Sequence, residues 1–344
     1  MGIQRHFKAF HDTIKLGRKD EAYASAREKD DNIKEAIKKS FVESGYPVVE
    51  DFIQGSLAVH TGIISRDTDF DIDRAIVIDS ADAPENPIEP KRKIKEVLEK
   101  RGFTNVRIKK PCVTADYKAL DLHIDFPVYK RSGTDYRLAV GKAGSSDDNR
   151  IWAGADPKRL EAWINDDSSY LGSKRDKHDQ FRRLVRYVKR WRDHQFHEDV
   201  ARKIYSIGLT VMIKDCFDPS FDEDGKPCDA TALSQTLSNI LARGYFVQQI
   251  EEGRYTVKVD LPVNPWRDIF DGSSVNTGTQ LFNKLSRLRQ KVDQALAVND
   301  EIKQCRILNE VFGDEFQVPD SKGDSNTRKA AFATAGFVGT SQGA

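Results

Sequence analysis

The feature that most constrains this sequence is a Gly-Ser pair followed, thirteen residues later, by two carboxylates spaced one residue apart. Gly55 and Ser56 come directly after a short apolar run that ends near Ile53, and Asp69 and Asp71 alternate with apolar neighbours. Because successive side chains of a strand point to opposite faces, the two acids are predicted on one face and their neighbours in the core. The pattern predicts two strands, the first of which ends in a tight turn.

This pattern is suited to the recognition of a metal-bound triphosphate. Two carboxylates on one strand face can hold Mg²⁺, which prefers such ligands together with substrate phosphates. A glycine at the turn lets backbone N–H groups approach phosphate closely. Gly55, Ser56, Asp69 and Asp71 therefore indicate nucleotidyl transfer with two metal ions, which needs a third carboxylate from a neighbouring strand.

The third carboxylate is expected on the strand predicted over residues 120–129. Asp121, His123 and Asp125 share one face of that strand. Asp125 stands just before Phe126 and a proline, which suits the end of a strand at the mouth of a cleft, so it is preferred over Asp121. His123 is interpreted as structural. The predicted catalytic and metal-binding residues are Asp69, Asp71 and Asp125.

A competing register pairs Asp71 with Asp73 instead of Asp69. We expect it to be disfavoured, because Arg74 would then occupy a position that should be apolar. The prediction therefore keeps Asp69 and Asp71 as the pair.

A basic helix is predicted over residues 181–191. Its apolar residues form one stripe: Phe181, Leu184, Val185, Val188 and Trp191. Lys189 falls on the border of the stripe, from where its ammonium can reach a triphosphate across a cleft. Arg183 and Arg190 are predicted to face solvent. Ser206, near the start of the next helix, is either an N-cap or a phosphate ligand.

The order of the patterns predicts an α/β catalytic lobe followed by a helical lobe, with the nucleotide site between them. The catalytic lobe, with the N-terminal helices, is expected over 1–155 and includes a predicted edge strand at 136–140. The helical lobe follows over 156–318. The remaining residues, 319–344, are rich in Ser, Gly, Ala and Thr and are predicted to be a flexible tail.

Composition excludes several classes of function. The formal net charge of the 344 residues is +1, which argues against a globally basic nucleic-acid binder. The four cysteines lie far apart, so reduced thiols are expected rather than disulfides or zinc. The sequence has neither an apolar run of the ~20 residues that a membrane helix needs nor an apolar signal core. We therefore expect a cytoplasmic protein without a membrane role.

Residues 54–73 resemble the cGAS/DncV-like nucleotidyltransferases, the CD-NTase family of cyclic-oligonucleotide synthases of bacterial CBASS anti-phage defence. The resemblance rests on Gln54-Gly55-Ser56-Leu57, Thr61-Gly62-Ile63 and Asp67-Thr68-Asp69-Phe70-Asp71-Ile72-Asp73. Leu184 to Trp191, Ile204-Tyr205-Ser206 and the Asn264-Pro265 and Val275-Asn276 segments are also similar to this family. The resemblance covers residues 1–318 and implies an α+β fold with a polymerase-β-like lobe, a mixed sheet with flanking helices, and a C-terminal helical lobe.

The resemblance also implies an activity. ATP or other nucleoside triphosphates would be joined without a template into a cyclic di- or trinucleotide, with release of pyrophosphate. Asp69, Asp71 and Asp125 would bind two Mg²⁺ ions, for which Mn²⁺ can substitute. The residues implied to bind the nucleotide are Gln54, Gly55, Ser56, Lys189 and Ser206. The product would reach a downstream effector, and the zinc insertion of the animal enzyme is lacking.

The family further suggests a partner at the C-terminus. In some of its systems an E1/E2-like protein conjugates the end of the synthase to a target. Residues 336–344 are small and end at Ala344, which fits entry into a narrow conjugation channel. An ordinary disordered terminus explains the same residues.

Two alternatives remain open at this point. One is a linear oligonucleotide synthetase or tailing enzyme of the same superfamily, although a tailing enzyme usually needs an extended basic surface. The other is a catalytically inactive nucleotide-binding scaffold. The presence of all three acids argues against a scaffold without proving activity.

Overall fold

A computed structural model of the chain describes residues 2–16, 21–64, 70–103, 105–117 and 122–319. For residues 21–26, 70, 71, 117 and 122 the description covers the backbone. Within these ranges, no helix combines the length and the apolar character that a membrane crossing requires.

A mixed eight-stranded sheet forms the centre of the N-terminal half. Its strands are β1 (Val48–Ile53), β2 (Phe70–Asp79), β3 (Arg107–Ile108), β4 (Val113–Tyr117), β5 (Leu122–Phe126), β6 (Val128–Ser132), β7 (Asp135–Val140) and β8 (Ile151–Ala155). β2 is central, since it pairs antiparallel with β1 and parallel with both β5 and β6. β4 and β3 extend the sheet beyond β5, and β7 and β8 extend it beyond β6.

Helices flank the sheet and make up most of the C-terminal half. The first four are α1 (Gly2–Ile14), α2 (Glu21–Glu43), α3 (Gly55–Ala58) and α4 (Ile88–Lys100). After the sheet come α5 (Pro157–Asn165), α6 (Lys174–Gln195), α7 (Glu198–Ala201), α8 (Ser206–Cys216), α9 (Asp229–Ala242), α10 (Val275–Leu296) and α11 (Glu301–Phe312). A small hairpin of β9 (Phe246–Gln248) and β10 (Tyr255–Val257) precedes α10. The predicted α+β class, with a mixed sheet and a helical lobe, is confirmed.

The alternation of β2 decides which side chains reach the core. Ile72, Ile76 and Ile78 are fully buried in one cluster with residues of α2 and α4. Ala75 and Val77, on the opposite face, pack in a second, smaller cluster with tyrosines of β6 and β7. Both faces are therefore covered, which is why β2 reads as an almost continuous apolar run after its acids.

Arg74 is the exception on the face that packs against α2. It is buried, its Nε donates to Asp30 Oδ1 at 2.7 Å, and its Nη1 donates to Asp51 Oδ1 at 2.6 Å. Asp30 lies on α2 and is itself fully buried. A guanidinium is tolerated here because carboxylates satisfy its donors. The expectation that this position must be apolar is wrong.

α6 is the central helix of the C-terminal half. Its predicted apolar stripe is confirmed, since all five residues are at most 1% exposed. The prediction that Arg183 and Arg190 face solvent is wrong. Arg183 pairs with the buried Asp229, and Arg190 is 1% exposed, because α1, α8, α9 and α11 surround the helix.

The N-terminal helices divide between the two cores. α2 packs against α4 and the sheet, as expected for the catalytic lobe. α1 instead buries Phe7, Phe10 and Ile14 in the helical core, against α6, α9 and α11. The expectation that both helices belong with residues up to 155 is therefore wrong for α1. The proposed boundaries at 155/156 and 318/319 remain predictions.

Two strand predictions need correction. β7 is not an edge strand, because β8 pairs with it, for example Leu138 with Ala153. The strand predicted over 120–129 is divided at Pro127, whose carbonyl accepts a hydrogen bond from Ile76 N at 3.0 Å. A proline donates no ladder hydrogen bond, so the pairing with β2 continues in a new segment.

Candidate active site

The Gly-Ser turn is bonded directly to the central strand. Gln54 N donates to the carbonyl of Asp73 at 2.9 Å, and Gln54 Oε1 accepts a hydrogen bond from the hydroxyl of Tyr129 at 3.0 Å. The chain then turns into the four-residue helix α3, which begins at Gly55 with a φ of +67°. This left-handed conformation suits glycine, because in other residues the Cβ atom clashes with the backbone at a positive φ. The turn is thereby held at the beginning of β2.

Gly55 lies against the carboxylate of Asp73. A Cβ added at Gly55 would stand 2.3 Å from Asp73 Oδ2, closer than real Cβ contacts come. The glycine is therefore required twice, by its φ and by this carboxylate. The side-chain oxygen Asp73 Oδ2 therefore lies next to the backbone of the turn that is predicted to bind phosphate.

The register of β2 and β5 places acids from two strands side by side. Asp73 is paired with Asp125, and Asp71 with His123, in parallel register. Ile72 and Ile124, which alternate with them, are fully buried on the other face. By alternation Asp73 and Asp125 share the opposite face.

The predicted acids differ in how far the structure describes them. Asp125 is described completely, Asp71 by its backbone, and Asp69 and Asp121 lie outside the described residues. The competing register, Asp71 with Asp73, gains support, because Asp73 is beside both Gly55 and Asp125. The choice of Asp69 over Asp73 rested on Arg74, and that reason does not hold.

Asp125 is surrounded by polar partners. Thr114 Oγ1, on β4, donates to Asp125 Oδ1, His123 Nε2 lies 3.4 Å from that oxygen, and Lys109 Nζ lies 3.8 Å from it. Burial by itself raises the pKa of Asp125, but the contacts with His123 and Thr114 and the charge of Lys109 outweigh burial and lower it. Asp125 is therefore a carboxylate at neutral pH. His123 also contacts Asp116 through Nδ1.

Thr114 and Lys109 were missed by sequence reasoning. Thr114 lies on β4, a strand that the sequence pattern did not predict, opposite Asp125 in antiparallel register. Lys109 belongs to the turn before that strand. The available signal was the alternation of residues 113–117, which is weak because Thr, Ala and Asp interrupt it.

The helical side of the site approaches the same turn. Lys189 is 5% exposed, and its ammonium donates to the carbonyl of Thr61 at 3.1 Å and to the hydroxyl of Thr61 at 3.2 Å. Burial, with the charges of Arg192 and Arg186 added, lowers the pKa of Lys189 to about 7. In this structure Lys189 therefore acts on the segment after the turn, and the predicted contact with a triphosphate remains a prediction.

Ser206 is the first residue of α8 and not its N-cap, which is Tyr205. Its hydroxyl accepts a hydrogen bond from Arg192 Nη1 at 2.8 Å. The N-cap alternative is therefore wrong. A phosphate contact from Ser206 remains a prediction, and Arg192 is an additional cation beside it.

The residues present fit a divalent cation by their chemistry. Asp73 and Asp125 supply carboxylate oxygens from neighbouring strands, the ligands that Mg²⁺ prefers. Among the side chains that the structure describes, no three His, Cys, Asp or Glu residues form a ligand cluster. Asp71, whose backbone lies in register with His123, is the nearest further acid of β2.

Comparisons with known proteins point to one family. A family model described as the nucleotidyltransferase domain of DncV-like cyclic GMP-AMP synthases matches residues 49–129, which include the turn, β2 and β5. The cyclic GMP-AMP synthase of Escherichia albertii is 27% identical over 173 residues, 47% of this chain and 36% of that protein. That of Vibrio cholerae serotype O1 is 24% identical over 208 residues, 59% of this chain and 41% of that protein. The chain thus spans about two fifths of the length of these curated relatives.

Solved structures share the fold over nearly the whole chain. DncV of Vibrio cholerae without ligand superposes with a TM-score of 0.69 at 18% identity, covering 93% of this chain and 96% of that chain. CdnC of E. coli MS115-1 with ATP gives 0.65 at 17% identity, with coverages of 92% and 99%. The CD-NTase CdnG of Bradyrhizobium diazoefficiens with GTP gives 0.68 at 15% identity, with coverages of 91% and 96%. Residues 49–129 thus match the nucleotidyltransferase domain of DncV-like cyclic GMP-AMP synthases, and nearly the whole chain shares the fold of these solved structures.

Proposed function

We propose that this protein joins nucleoside triphosphates without a template into a cyclic di- or trinucleotide and releases pyrophosphate. The observation that carries the proposal is the position of the Asp73 carboxylate, beside the Gly-Ser turn and in register with Asp125. The family supports it, because its relatives in Escherichia albertii and Vibrio cholerae are cyclic GMP-AMP synthases. ATP and GTP, found with CdnC and CdnG, are the first substrates to test.

Asp71, Asp73 and Asp125 are the proposed metal-binding and catalytic acids. Asp69, which the sequence favoured over Asp73, is the alternative and is included in the tests below. Bound Mg²⁺ or Mn²⁺ ions would neutralise phosphate charge and lower the pKa of the attacking hydroxyl. Thr114, His123 and Lys109 keep Asp125 ionised, so its oxygens are available to a cation.

The remaining residues bind and orient the nucleotide. Backbone N–H groups of Gly55 and Ser56 are proposed to hold the donor phosphates, and Gln54 fixes the turn through Tyr129 and β2. Lys189 and Ser206 are proposed to add the hydrogen-bond donors of an amino group and a hydroxyl from the helical lobe. Catalysis then consists of positioning and charge neutralisation, which dominate phosphoryl transfer.

The biological setting is also a proposal. The cyclic product would act on a downstream effector in CBASS anti-phage signalling, in the cytoplasm, where nucleoside triphosphates are present. E. coli MS115-1 CdnC was solved in complex with HORMA-deltaN, and a protein partner is proposed for this chain as well. Conjugation through Ala344 lies outside the described residues and remains a prediction.

Product identification tests the proposal. The full chain is incubated with mixed labelled nucleoside triphosphates and Mg²⁺ or Mn²⁺, treated with phosphatase and examined by mass spectrometry. We expect phosphatase-resistant cyclic products that are absent with Asp73→Asn. Linear ladders would replace the proposal with an oligonucleotide synthetase or tailing enzyme, and the absence of product from every mixture would favour a scaffold.

A further inference from the structure

The segment after the Gly-Ser turn, residues 60–64, is here named the exit segment. Thr61 N donates to the carbonyl of Ser56 at 2.8 Å, so the exit segment is bonded back to the turn itself. His60 has a φ of +56°, a conformation that a residue with a Cβ adopts only at a cost of about 1 kcal/mol or more. Contacts from outside the exit segment must therefore stabilise this conformation.

Three basic side chains of α6 hold the exit segment through its main-chain carbonyls. Arg186 Nε donates to the carbonyl of Gly62 at 3.2 Å, and Arg186 Nη2 donates to that of His60. Lys189 donates to Thr61, and Arg190 Nη2 donates to the carbonyl of Ile64. Residues three and four apart share one helix face, so α6 presents these donors as one row.

The end of α1 holds the same segment from another side. Ile64 N donates to the carbonyl of Ile14 at 2.9 Å, and Leu16 N donates to the carbonyl of Gly62 at 3.2 Å. Arg186 joins the two supports, because its Nη1 donates to His11 Nε2 on α1 at 3.1 Å. Both supports belong to the helical core, whereas the turn belongs to the sheet.

The acceptors of Arg186 are all uncharged. Within the described part of the chain, no carboxylate oxygen lies within 4 Å of its guanidinium, and its donors reach two carbonyls and a histidine ring. Burial, with the charge of Arg182 added, lowers the pKa of Arg186 to about 10, which leaves it charged at neutral pH. A buried cation bonded to one short stretch of main chain fixes the position of that stretch, since charge-assisted hydrogen bonds are the strong ones.

We propose that Arg186 is a positioning residue for nucleotidyl transfer, which sets the place of the Gly-Ser turn relative to the helical lobe. The inference rests on the proposed function for its kinetic consequence only. Arg186 has no assigned contact with nucleotide or metal, and it acts through the carbonyls of His60 and Gly62. A turn that shifts by a fraction of an ångström would still bind phosphate but would misplace it for reaction.

The test compares Arg186→Lys with Arg183→Lys, a matched change one turn away on α6 that contacts Asp229 instead of the exit segment. Lysine keeps the charge and loses the fork that reaches two carbonyls. With ATP and GTP as substrates, we expect Arg186→Lys to lower kcat about tenfold or more and to change KM much less. Arg183→Lys should leave both constants near those of the wild type.

Amide hydrogen exchange gives a readout that does not depend on activity. Exchange at residues 59–64 should be faster in Arg186→Lys and unchanged in Arg183→Lys. Equal exchange and equal kcat in the two variants would overturn the proposal. If the wild type forms no nucleotide product, the proposed function fails, and exchange alone decides whether Arg186 positions the turn. Arg190→Lys, which contacts the same segment at Ile64, replaces Arg186→Lys if the latter does not fold.

Discussion

At the scale of single residues, Gly55 links the backbone of the turn to the acids of the sheet. Its positive φ and the nearness of Asp73 Oδ2 exclude a side chain for two independent reasons. The same residue lies in register with Asp125, so one small region contains the turn that is proposed to bind phosphate and two acids. Replacement of Gly55 should therefore affect the chemistry as well as the folding.

Gly55→Ala should reduce product formation ~100-fold or more, because the added methyl group displaces a proposed metal ligand. Gly133→Ala is the matched control, since Gly133 also has a positive φ, +59°, but no described atom lies within 4 Å of its Cβ position. Both variants should lose about 1 kcal/mol of stability from the backbone conformation. Equal activity of the two variants would contradict the assignment of the turn.

Lys189 should make stability depend on pH. Its pKa is lowered from 10.5 to about 7, so between pH 7 and 10 the unfolded chain binds a proton that the folded protein does not. The burial of a charged lysine is a cost below pH 7, and the cost disappears as the pH rises. The wild type should therefore gain stability relative to Lys189→Met between pH 7 and 9.

Urea unfolding of the two proteins at several pH values measures this difference. The difference in unfolding free energy between the wild type and Lys189→Met should rise by at most about 1.4 kcal/mol per pH unit. Parallel stability curves for the wild type and Lys189→Met would show that Lys189 has an ordinary pKa and is not buried as described.

At the scale of elements, a network of ion pairs couples α2 to the strand that bears the acids. Arg74 follows Asp73 directly and bonds to Asp30 on α2 and Asp51 on β1. Asp30 is fully buried and also lies 3.4 Å from Arg27. α2 thus helps to fix the position of β2 at the point where its side chains pass from the site to the core.

Arg74→Met should destabilise the protein by about 3–5 kcal/mol, because it leaves a buried carboxylate without its main partner. The double variant Asp30→Asn with Arg74→Met should recover part of that loss, since no buried charge then remains at Asp30. Arg137→Ala, which removes an exposed pair with Asp135, is the control and should have little effect. A loss with Arg74→Met as small as that of the control would refute the network.

Sequence reasoning succeeded where local pattern decides the structure. Alternation correctly predicted that Ile72 and Ile124 are buried on the face opposite Asp125, and the helical period of residues 181–191 found the buried stripe of α6. Sequence reasoning failed where the burial of a residue depends on a partner that is distant in sequence. Arg74 is buried because of acids 23 and 44 residues away, and Arg183 because of Asp229, 46 residues away.

The sheet shows the same limit. β8 (Ile151–Ala155) contains Gly154 and two alanines, residue types that are depleted in strands, and they outnumber the strand-favouring Ile151 and Trp152. It exists because β7 offers an edge with which it pairs. β7 was predicted as the edge for lack of that information.

At the scale of the whole molecule, the two cores meet at the turn. The sheet supplies Gly55 and the acids, while the helical core supplies Lys189, Arg186 and the end of α1. α1 was expected with the catalytic lobe, but its phenylalanines pack in the helical core. The chain therefore passes from the helical core to the sheet and back, and the end of its first helix supports the exit segment.

We propose above all that the acids at the start of β2 and on β5 bind the metal ions for nucleotidyl transfer beside the Gly-Ser turn. The most direct measurement is the rate of product formation by Asp73→Asn, Asp125→Asn and Asp69→Asn, each checked for an unchanged melting temperature. We expect the first two variants to lose activity ~100-fold or more and Asp69→Asn to stay within about tenfold of the wild type. Wild-type rates in Asp73→Asn, with activity lost in Asp69→Asn, would contradict this proposal.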